Sequence, residues 1–140
     1  MVAVVLMAAG GATALVRDGG EHATVTTTTS ASVNAYAEYV KAVKAAWAQV
    51  TATTEAHSGR EGWSVMATAL RSFAGVLERL TPPGELMFKH TELMAEARST
   101  ADLAEARDRE LRTDPNAKDS GQGFQALARH RALGVRIAAL

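Results

Sequence analysis

Two segments of this chain repeat apolar side chains at alternating steps of three and four residues. In the first segment the repeated residues are Val33, Tyr36, Val40, Val43, Trp47 and Val50. In the second they are Trp63, Met66, Leu70, Phe73, Leu77 and Leu80. Because an α-helix turns once in about 3.6 residues, this spacing places the side chains of each segment on one helix face. The pattern predicts two amphipathic helices, and each needs a neighbour to cover its apolar face.

Two later segments carry weaker versions of the same repeat. The third stripe comprises Leu86, His90, Leu93, Ala97, Thr100 or Ala101, Ala104 and Leu111. The fourth segment runs from about Gln122 to Leu140, with Ala126, His130, Leu133, Ile137 and Leu140 on one stripe and Phe124 and Leu127 near it. In the third segment Glu105 lies four residues before Arg109, and Asp108 lies four residues before Arg112. Oppositely charged residues at this spacing can pair on the helix surface, which predicts a solvated outer face.

Capping and helix-breaking residues mark the boundaries. Residues 58–61, Ser-Gly-Arg-Glu, fit a capping box at the start of the second helix. Residues 81–84, Thr-Pro-Pro-Gly, should end that helix, and Thr81 should cap the third one. Asp114 and Pro115 predict the break before the fourth helix.

These elements predict an all-α fold, an up-down-up-down four-helix bundle over residues 33–140, because short connections make successive helices antiparallel neighbours. A three-helix bundle with the C-terminal segment detached or dimerising is the alternative. The four-helix arrangement predicts layers of facing residues. One end holds Val33, Leu80, Leu86 and Leu140; the next layer holds Tyr36, Leu77, His90 and Ile137; the opposite end holds Val50, Trp63, Ala104 and Phe124.

Residues 1–16 are apolar and uncharged. A helix of this length spans about 24 Å, short of the roughly 30 Å hydrocarbon core of a bilayer. The run therefore favours a signal peptide cleaved after Ala14, with an uncleaved membrane anchor as one alternative and a buried helix of a cytosolic protein as another. No Lys or Arg precedes the run, which is unusual for a signal. The first two readings place the protein outside the cytoplasm, secreted or anchored to the outer face of the cytoplasmic membrane.

Residues 17–32 contain two glycines and a run of threonines but almost no large apolar side chain. Such a segment cannot bury enough surface to offset its ordering entropy, so it predicts a flexible tether. An edge strand over residues 23–29 is the alternative, since Val and Thr favour extended chain.

Composition argues against several classes of function. The formal net charge is zero, so no overall positive field would attract nucleic acid. Cysteine is absent, which excludes disulfides, thiolate chemistry and Cys-ligated zinc. Residues 120–140 contain Arg129, Arg131 and Arg136 but no Asp or Glu. This segment could lie on an anionic membrane; the favoured reading is a fourth bundle helix that faces the more acidic third one.

Three histidines, His57, His90 and His130, lie on or near the inward stripes and are the candidate metal ligands. The predicted topology separates them, because His57 and His90 lie at opposite ends of a helix roughly 25 Å long. We therefore expect no metal and no cofactor. A buried imidazole still needs a hydrogen-bond partner, and Tyr36 in the same predicted layer as His90 is the candidate.

Leu77, Leu80, Pro82 and Pro83, followed by His90, form a Leu-x-x-Leu-x-Pro-Pro turn with a histidine on the next helix. This turn, over residues 76–97, resembles one in small exported bacterial helical-bundle proteins, many of them lipoproteins of unknown function. The chain departs from the lipoproteins because it has no cysteine to lipidate. The resemblance implies an extracytoplasmic bundle and no particular activity.

Regular apolar stripes without a convergent polar cluster favour a non-catalytic binding or interaction module. Its partner would be a protein, an envelope component or a second copy of the chain, with the membrane as a further partner if residues 1–16 are retained. A small-ligand or metal-binding bundle that uses His90 and Tyr36 is the alternative. An enzyme is a third hypothesis, but Ser64 and Ser99 lack a histidine and an acid at recognisable spacing.

Overall fold

The computed structural model describes the backbone of residues 26–140 and the side chains from residue 32 onward. Within that part the chain forms four α-helices: α1 (Thr26–Glu55), α2 (Gly62–Arg79), α3 (Met87–Thr113) and α4 (Gln122–Ala138), with a short 3₁₀ turn (Gly84–Leu86) before α3. Residues 26–140 contain no strand. The predicted all-α four-helix fold is confirmed. The predicted segment 1–16 and residues 17–25 of the tether lie outside the described residues.

The helices pack in chain order around a square. The α2 helix contacts α1 and α3, and α3 contacts α4. The α4 helix closes the square against α1 through the smallest of the four helix contacts. The diagonal pairs, α1 with α3 and α2 with α4, do not approach each other through their backbones. The C-terminal segment is thus a bundle helix, and the three-helix alternative is wrong.

The inner face of α3 matches its predicted stripe at every position. The buried members are Leu86, His90, Leu93, Ala97, Thr100, Ala101, Ala104 and Leu111. Opposite them, α2 buries large side chains, of which Leu70, Phe73 and Leu77 are at most 1% exposed. Small residues on one helix facing large residues on another allow the core to fill densely.

The α1 helix differs from its prediction in start and rotation. It begins at Thr26, so residues 26–32 of the expected tether, including part of the expected edge strand, are helical. Val33 is 60% exposed instead of lying in a core layer, and Tyr39 is buried in addition to Val43 and Val50. The inward face of α1 is therefore centred closer to Tyr39 than to Val33. Val33 is exposed because the first turns of α1 extend beyond the layer formed by the other helices.

The side-chain caps predicted for α2 and α3 are wrong, although α2 does begin directly after Glu61. Glu61 is the residue that precedes α2, its backbone is already helical, and no side chain caps that helix end. The turn before it contains Gly59, whose positive φ of 84° is favourable for glycine. Thr81 does not cap α3 either, since the 3₁₀ turn intervenes and Leu86 is the residue before that helix.

Asp119 caps the start of α4. Its Oδ1 accepts hydrogen bonds from the amides of Gly121 (2.9 Å) and Gly123 (3.0 Å), and its Oδ2 accepts one from Phe124 (2.9 Å). Burial opposes ionisation of this carboxyl, but these amide hydrogen bonds lower its pKa below the usual value. The cap orients Gly123 inward, where a Cβ would lie 3.0 Å from the ring of Trp63. Phe124, predicted in this layer, is consequently 73% exposed.

We call the end of the bundle with Leu80, Leu86 and Leu140 the proximal end. The end with Trp63, Leu111 and Gly123 is the distal end. The α1 helix begins at the proximal end and finishes at the distal one.

Candidate functional site

His90 forms a buried hydrogen bond with Tyr39 across the bundle. The Tyr39 hydroxyl lies 3.0 Å from His90 Nδ1, and each residue is 5% exposed. Burial raises the pKa of Tyr39 and lowers the pKa of His90, so both groups are neutral near pH 7. The predicted pairing of His90 with Tyr36 was wrong. Tyr36 instead donates to the backbone carbonyl of Leu140, 3.0 Å away, because the rotation of α1 brings Tyr39 into the core.

His130 stacks on Trp47 between α4 and α1. The ring centroids are 5.0 Å apart with an interplanar angle of 37°. Trp47 also meets Phe73 of α2 edge-on at 5.4 Å, so its indole joins three helices. Burial, with a smaller effect of Arg131, lowers the pKa of His130, and its buried Nε2 meets no hydrogen-bond partner among the residues that the structure describes.

The three candidate metal ligands lie apart. His57 is exposed just beyond the distal end of α1, where its Nδ1 lies 2.9 Å from the carbonyl of Thr53. His90 lies near the proximal end in the core, and His130 lies against Trp47. Within the described residues no three His, Cys, Asp or Glu side chains are grouped closely enough to hold a metal ion. The small-ligand hypothesis loses the Tyr36–His90 pair on which it was built.

Ion pairs cross both seams that α3 makes with its neighbours. Toward α2, Arg71 lies 3.1 Å from Asp102 and 2.5 Å from Glu105, and Arg98 pairs with Glu78. The predicted Glu105–Arg109 pair is thus replaced by a contact across the seam. A single helix repeat could not show this, because the partner arginine belongs to another helix.

Toward α4, Arg136 lies 3.0 Å from Glu96 and 3.7 Å from Glu92. Arg129 donates to the Ser99 hydroxyl at 2.6 Å. Two of the three α4 arginines, Arg129 and Arg136, thus face the more acidic third helix, as the sequence predicted.

Charged residues near the end of α3 fasten the loop that follows it. Arg107 is 8% exposed; it binds Glu110 at 2.9 Å and donates to the carbonyls of Ala117 and Lys118. Hydrogen bonds from Ser120 and Arg107 lower the pKa of Glu110. Asp108, predicted on the solvated face, is 8% exposed and accepts from Arg112 at 2.7 Å. The contacts of Arg107 and Glu110 thus tie the loop to the helix that precedes it, whereas the Asp108–Arg112 pair lies within α3.

A shallow groove follows the outer side of the α1–α2 seam. Its volume is about 470 Å³. The α1 helix lines it with Ala46, Gln49, Val50 and Thr53, and His57 lies at its distal limit. The α2 helix lines it with Ser64, Val65, Thr68, Ala69, Ser72, Phe73 and Val76. Apart from the His57 imidazole, the lining contains no ionisable side chain.

Sequence reasoning missed this groove, although a signal for it exists. Residues 45–59 contain Glu55 as their single Asp, Glu, Lys or Arg, and residues 62–77 contain Arg71 alone. A low density of charge on two consecutive helices is consistent with a shared uncharged surface. The hydrophobic stripes alone could not reveal it, because apart from Val50 and Phe73 the groove residues lie beside the stripes.

No helix within residues 26–140 has the length and apolar character that crossing a membrane would need. Comparison of the chain with protein-family models, with curated proteins and with solved structures finds no match.

Proposed function

We propose that this chain is a non-catalytic, extracytoplasmic interaction module that binds a helix of a partner protein in the α1–α2 groove. One observation carries the proposal. The groove is uncharged and open, whereas charged side chains cross both seams of α3.

The dimensions of the groove favour a helix as its occupant. On α2 the lining runs from Ser64 to Val76, which is about 18 Å at a rise of about 1.5 Å per residue. That length matches three turns of a helix. Most of the lining side chains are small, as at Ala46, Ser64 and Thr68, so another backbone can approach closely. Helix-in-groove binding is a common mode of peptide recognition.

The lining also determines the chemistry of the partner. A charged side chain buried against this surface would lose its hydration and meet no opposite charge. The bound helix should therefore present an uncharged face of small and apolar residues. Hydroxyls of the groove add little direct recognition, since Thr68 already donates to the carbonyl of Ser64 at 2.9 Å.

The proposed location rests on residues 1–16 and on the Leu-x-x-Leu-x-Pro-Pro turn. An uncharged apolar run of this length is typical of an export signal or an anchor. The resemblance of the turn to exported bacterial bundles supports the same compartment.

Photo-cross-linking tests the groove in the full chain. Because the sequence has no cysteine, Thr68→Cys carries a single benzophenone probe in the groove. Thr91→Cys is the matched control, since both are exposed helical threonines that bond the carbonyl four residues back. We expect cross-links at position 68 to a helical peptide with an uncharged face, and none at position 91.

A synthetic copy of the cross-linked peptide then gives a dissociation constant by fluorescence anisotropy. Thr68→Arg should weaken binding at least about tenfold, equivalent to about 1.4 kcal/mol, while Thr91→Arg should leave it unchanged. Equal cross-linking at both positions, or cross-links between copies of this chain, would overturn the proposal.

A further inference from the structure

We infer that the distal end of the bundle binds a small amphipathic anion, an apolar body with a single anionic group, in a cavity beside Trp63. We call this space the distal cavity. Among the described residues, His57 alone lines both the distal cavity and the α1–α2 groove. The inference concerns a separate site and does not depend on the proposed function.

All four helices contribute to the distal cavity. Thr54 comes from α1, Trp63 and Met66 from α2, Leu111 from α3 and Leu127 from α4. The volume of the cavity is about 500 Å³, a size typical of small-molecule sites, which often lie between the helices of a bundle. Because every helix supplies part of the wall, the site exists only in the assembled bundle.

The wall of the distal cavity is apolar and incompletely covered. Leu111 is buried, yet it does not belong to the continuous hydrophobic core of the bundle. Trp63 is only partly buried, and Leu127 is 39% exposed. Large apolar side chains around an open space gain contacts, and lose contact with water, when an apolar body fills that space. The wall therefore favours a ligand with an apolar body of one or two rings or a short chain.

The turn between α1 and α2 keeps one rim of the distal cavity open. It lines the cavity with Gly59 and Gly62, which have no side chain to fill it. A Cβ at Gly62 would lie 3.0 Å from the carbonyl oxygen of His57, whereas a Cβ at Gly59 would meet nothing within 4 Å. The rim beside Gly59 thus has room for a polar group of the ligand.

Arg60 gives this rim a positive charge. Within the described lining, Arg60 and His57 are the ionisable side chains, and neither can be negative. Arg60 is exposed and forms no ion pair within residues 26–140. Glu61 and Asp114 adjoin lining residues in the sequence, but neither lines the cavity. An anionic group at the rim would therefore meet an arginine that has no competing carboxylate, and one such arginine matches a single negative charge.

Phe124 distinguishes binding in the cavity from adsorption to exposed apolar side chains. It lies on α4 three residues before Leu127 and is 73% exposed, but it does not line the cavity. A compound that adsorbs to exposed apolar side chains would depend on Phe124 more than on Leu127. A compound bound in the distal cavity would depend on Leu127 alone.

Two fluorescent probes test the charge of the ligand in titrations of the full chain. The probes are 8-anilinonaphthalene-1-sulfonate and N-phenyl-1-naphthylamine, which has the same rings without the sulfonate. Arg60→Gln should raise the Kd of the sulfonate at least about threefold, since a partly solvated charge pair contributes modestly, and should leave the Kd of the uncharged amine unchanged. Arg79→Gln is the matched control, because Arg79 is an exposed arginine at the other end of α2 without an ion pair in the described part of the chain. It should change neither Kd.

Substitutions on α4 test the apolar wall. Leu127→Gln should raise the Kd of both probes at least about threefold, because it removes apolar surface that the rings would cover. Phe124→Gln should change neither Kd. Both positions are exposed, and thermal unfolding of each variant checks that its fold is retained.

Amide spectra of the ¹⁵N-labelled chain locate the bound sulfonate. We expect its addition to shift the amides of Gly59 and Gly62 and the indole signal of Trp63. Shifts of Thr68 and Ser72 in their place would assign the probe to the groove and overturn the inference. Absence of binding would overturn it too, as would an equal effect of Arg60→Gln on both probes or equal weakening by Phe124→Gln and Leu127→Gln.

Discussion

The α3 helix and the α1 helix are held in the same bundle by different means. Across the two seams of α3, arginines and carboxylates pair between helices, as Arg71 does with Glu105 and Arg136 with Glu96. Across the two seams of α1, the described residues form no ion pair. There the ring contacts of Trp47 with Phe73 and His130 join the helices. Across the core, α1 is also tied to α3 by the buried hydrogen bond between Tyr39 and His90.

The interactions that contribute most to the stability of the bundle are therefore different from those that determine the charge on its surface. Exposed ion pairs contribute little free energy of folding, typically about 0–1 kcal/mol each, but they cover a seam with charge. Buried rings contribute more and leave the outside of the seam uncharged. The α1 side can therefore keep an open groove without loss of cohesion, since its stability lies inside the bundle.

The largest expected effect follows the loss of Trp47. Trp47→Ala removes the ring that joins α1 to α2 and α4, and it should lower the free energy of unfolding by about 3 kcal/mol. Hydrogen exchange should show that the amides of α1 lose protection before those of α2–α4. Trp63→Ala, at the distal end of α2, is the control, and it should not loosen α1 selectively. If Trp47→Ala lowers the exchange protection of all four helices equally, then Trp47 does not stabilise α1 more than the other helices.

A smaller effect follows the loss of one hydroxyl. Tyr39→Phe leaves Nδ1 of His90 buried without its partner, which should cost about 1–3 kcal/mol in urea unfolding. Tyr36→Phe removes a part-buried hydrogen bond to Leu140 and should cost less. If the two variants are equally stable, the Tyr39–His90 bond does not help to hold α1.

Acid should weaken the α1 side because both histidines that contact it have lowered pKa values in the folded protein. The unfolded chain then binds more protons as pH falls below about 6.5. Stability should therefore be complete above that pH and decline below it, by at most about 1.4 kcal/mol per pH unit for each histidine. Urea unfolding between pH 8 and pH 5 measures the slope. His130→Phe keeps a ring against Trp47 and should reduce the slope; an unchanged slope would show that His130 is not responsible.

The smallest effect is expected at the α3 seams. Arg71→Gln removes the pairs with Asp102 and Glu105 and should lower the Tm slightly at low salt. In about 1 M salt, where charges are screened within about 3 Å, the difference should vanish. Arg109→Gln is the matched control, since Arg109 is exposed and forms no ion pair within the described residues. A large and salt-independent loss for Arg71→Gln would remove the distinction between the two sides.

The sequence predicted α2, α3 and α4 well because their apolar repeats have one consistent phase. In α3 every stripe residue is buried. In α1 the repeat leaves the rotation open, since Tyr36 and Tyr39 lie only about 60° apart around the helix. Packing against α2 and α4 decides between them, and no local pattern contains that information.

The candidate site was harder to predict than the fold. His90 was correctly placed in the core, but its partner depends on the rotation of α1. At the start of α4 the buried position belongs to Gly123, which gives no hydrophobic signal, because the Asp119 cap determines the phase of the helix. The groove between α1 and α2 arises from two helices together, so it is visible in the sequence only as a low density of charge.

The alanines on the inner face of α3 have a consequence for how this protein can vary. Ala97, Ala101 and Ala104 are fully enclosed, so each has room for a methyl group and little more. Enlarging any of them would push α3 away from the helices packed against it, whereas glycine there would reduce helix propensity and leave a void. Substitutions should accumulate on the outer surfaces much faster than on this face. A distant relative should be easier to identify by the spacing of its small residues than by its charges.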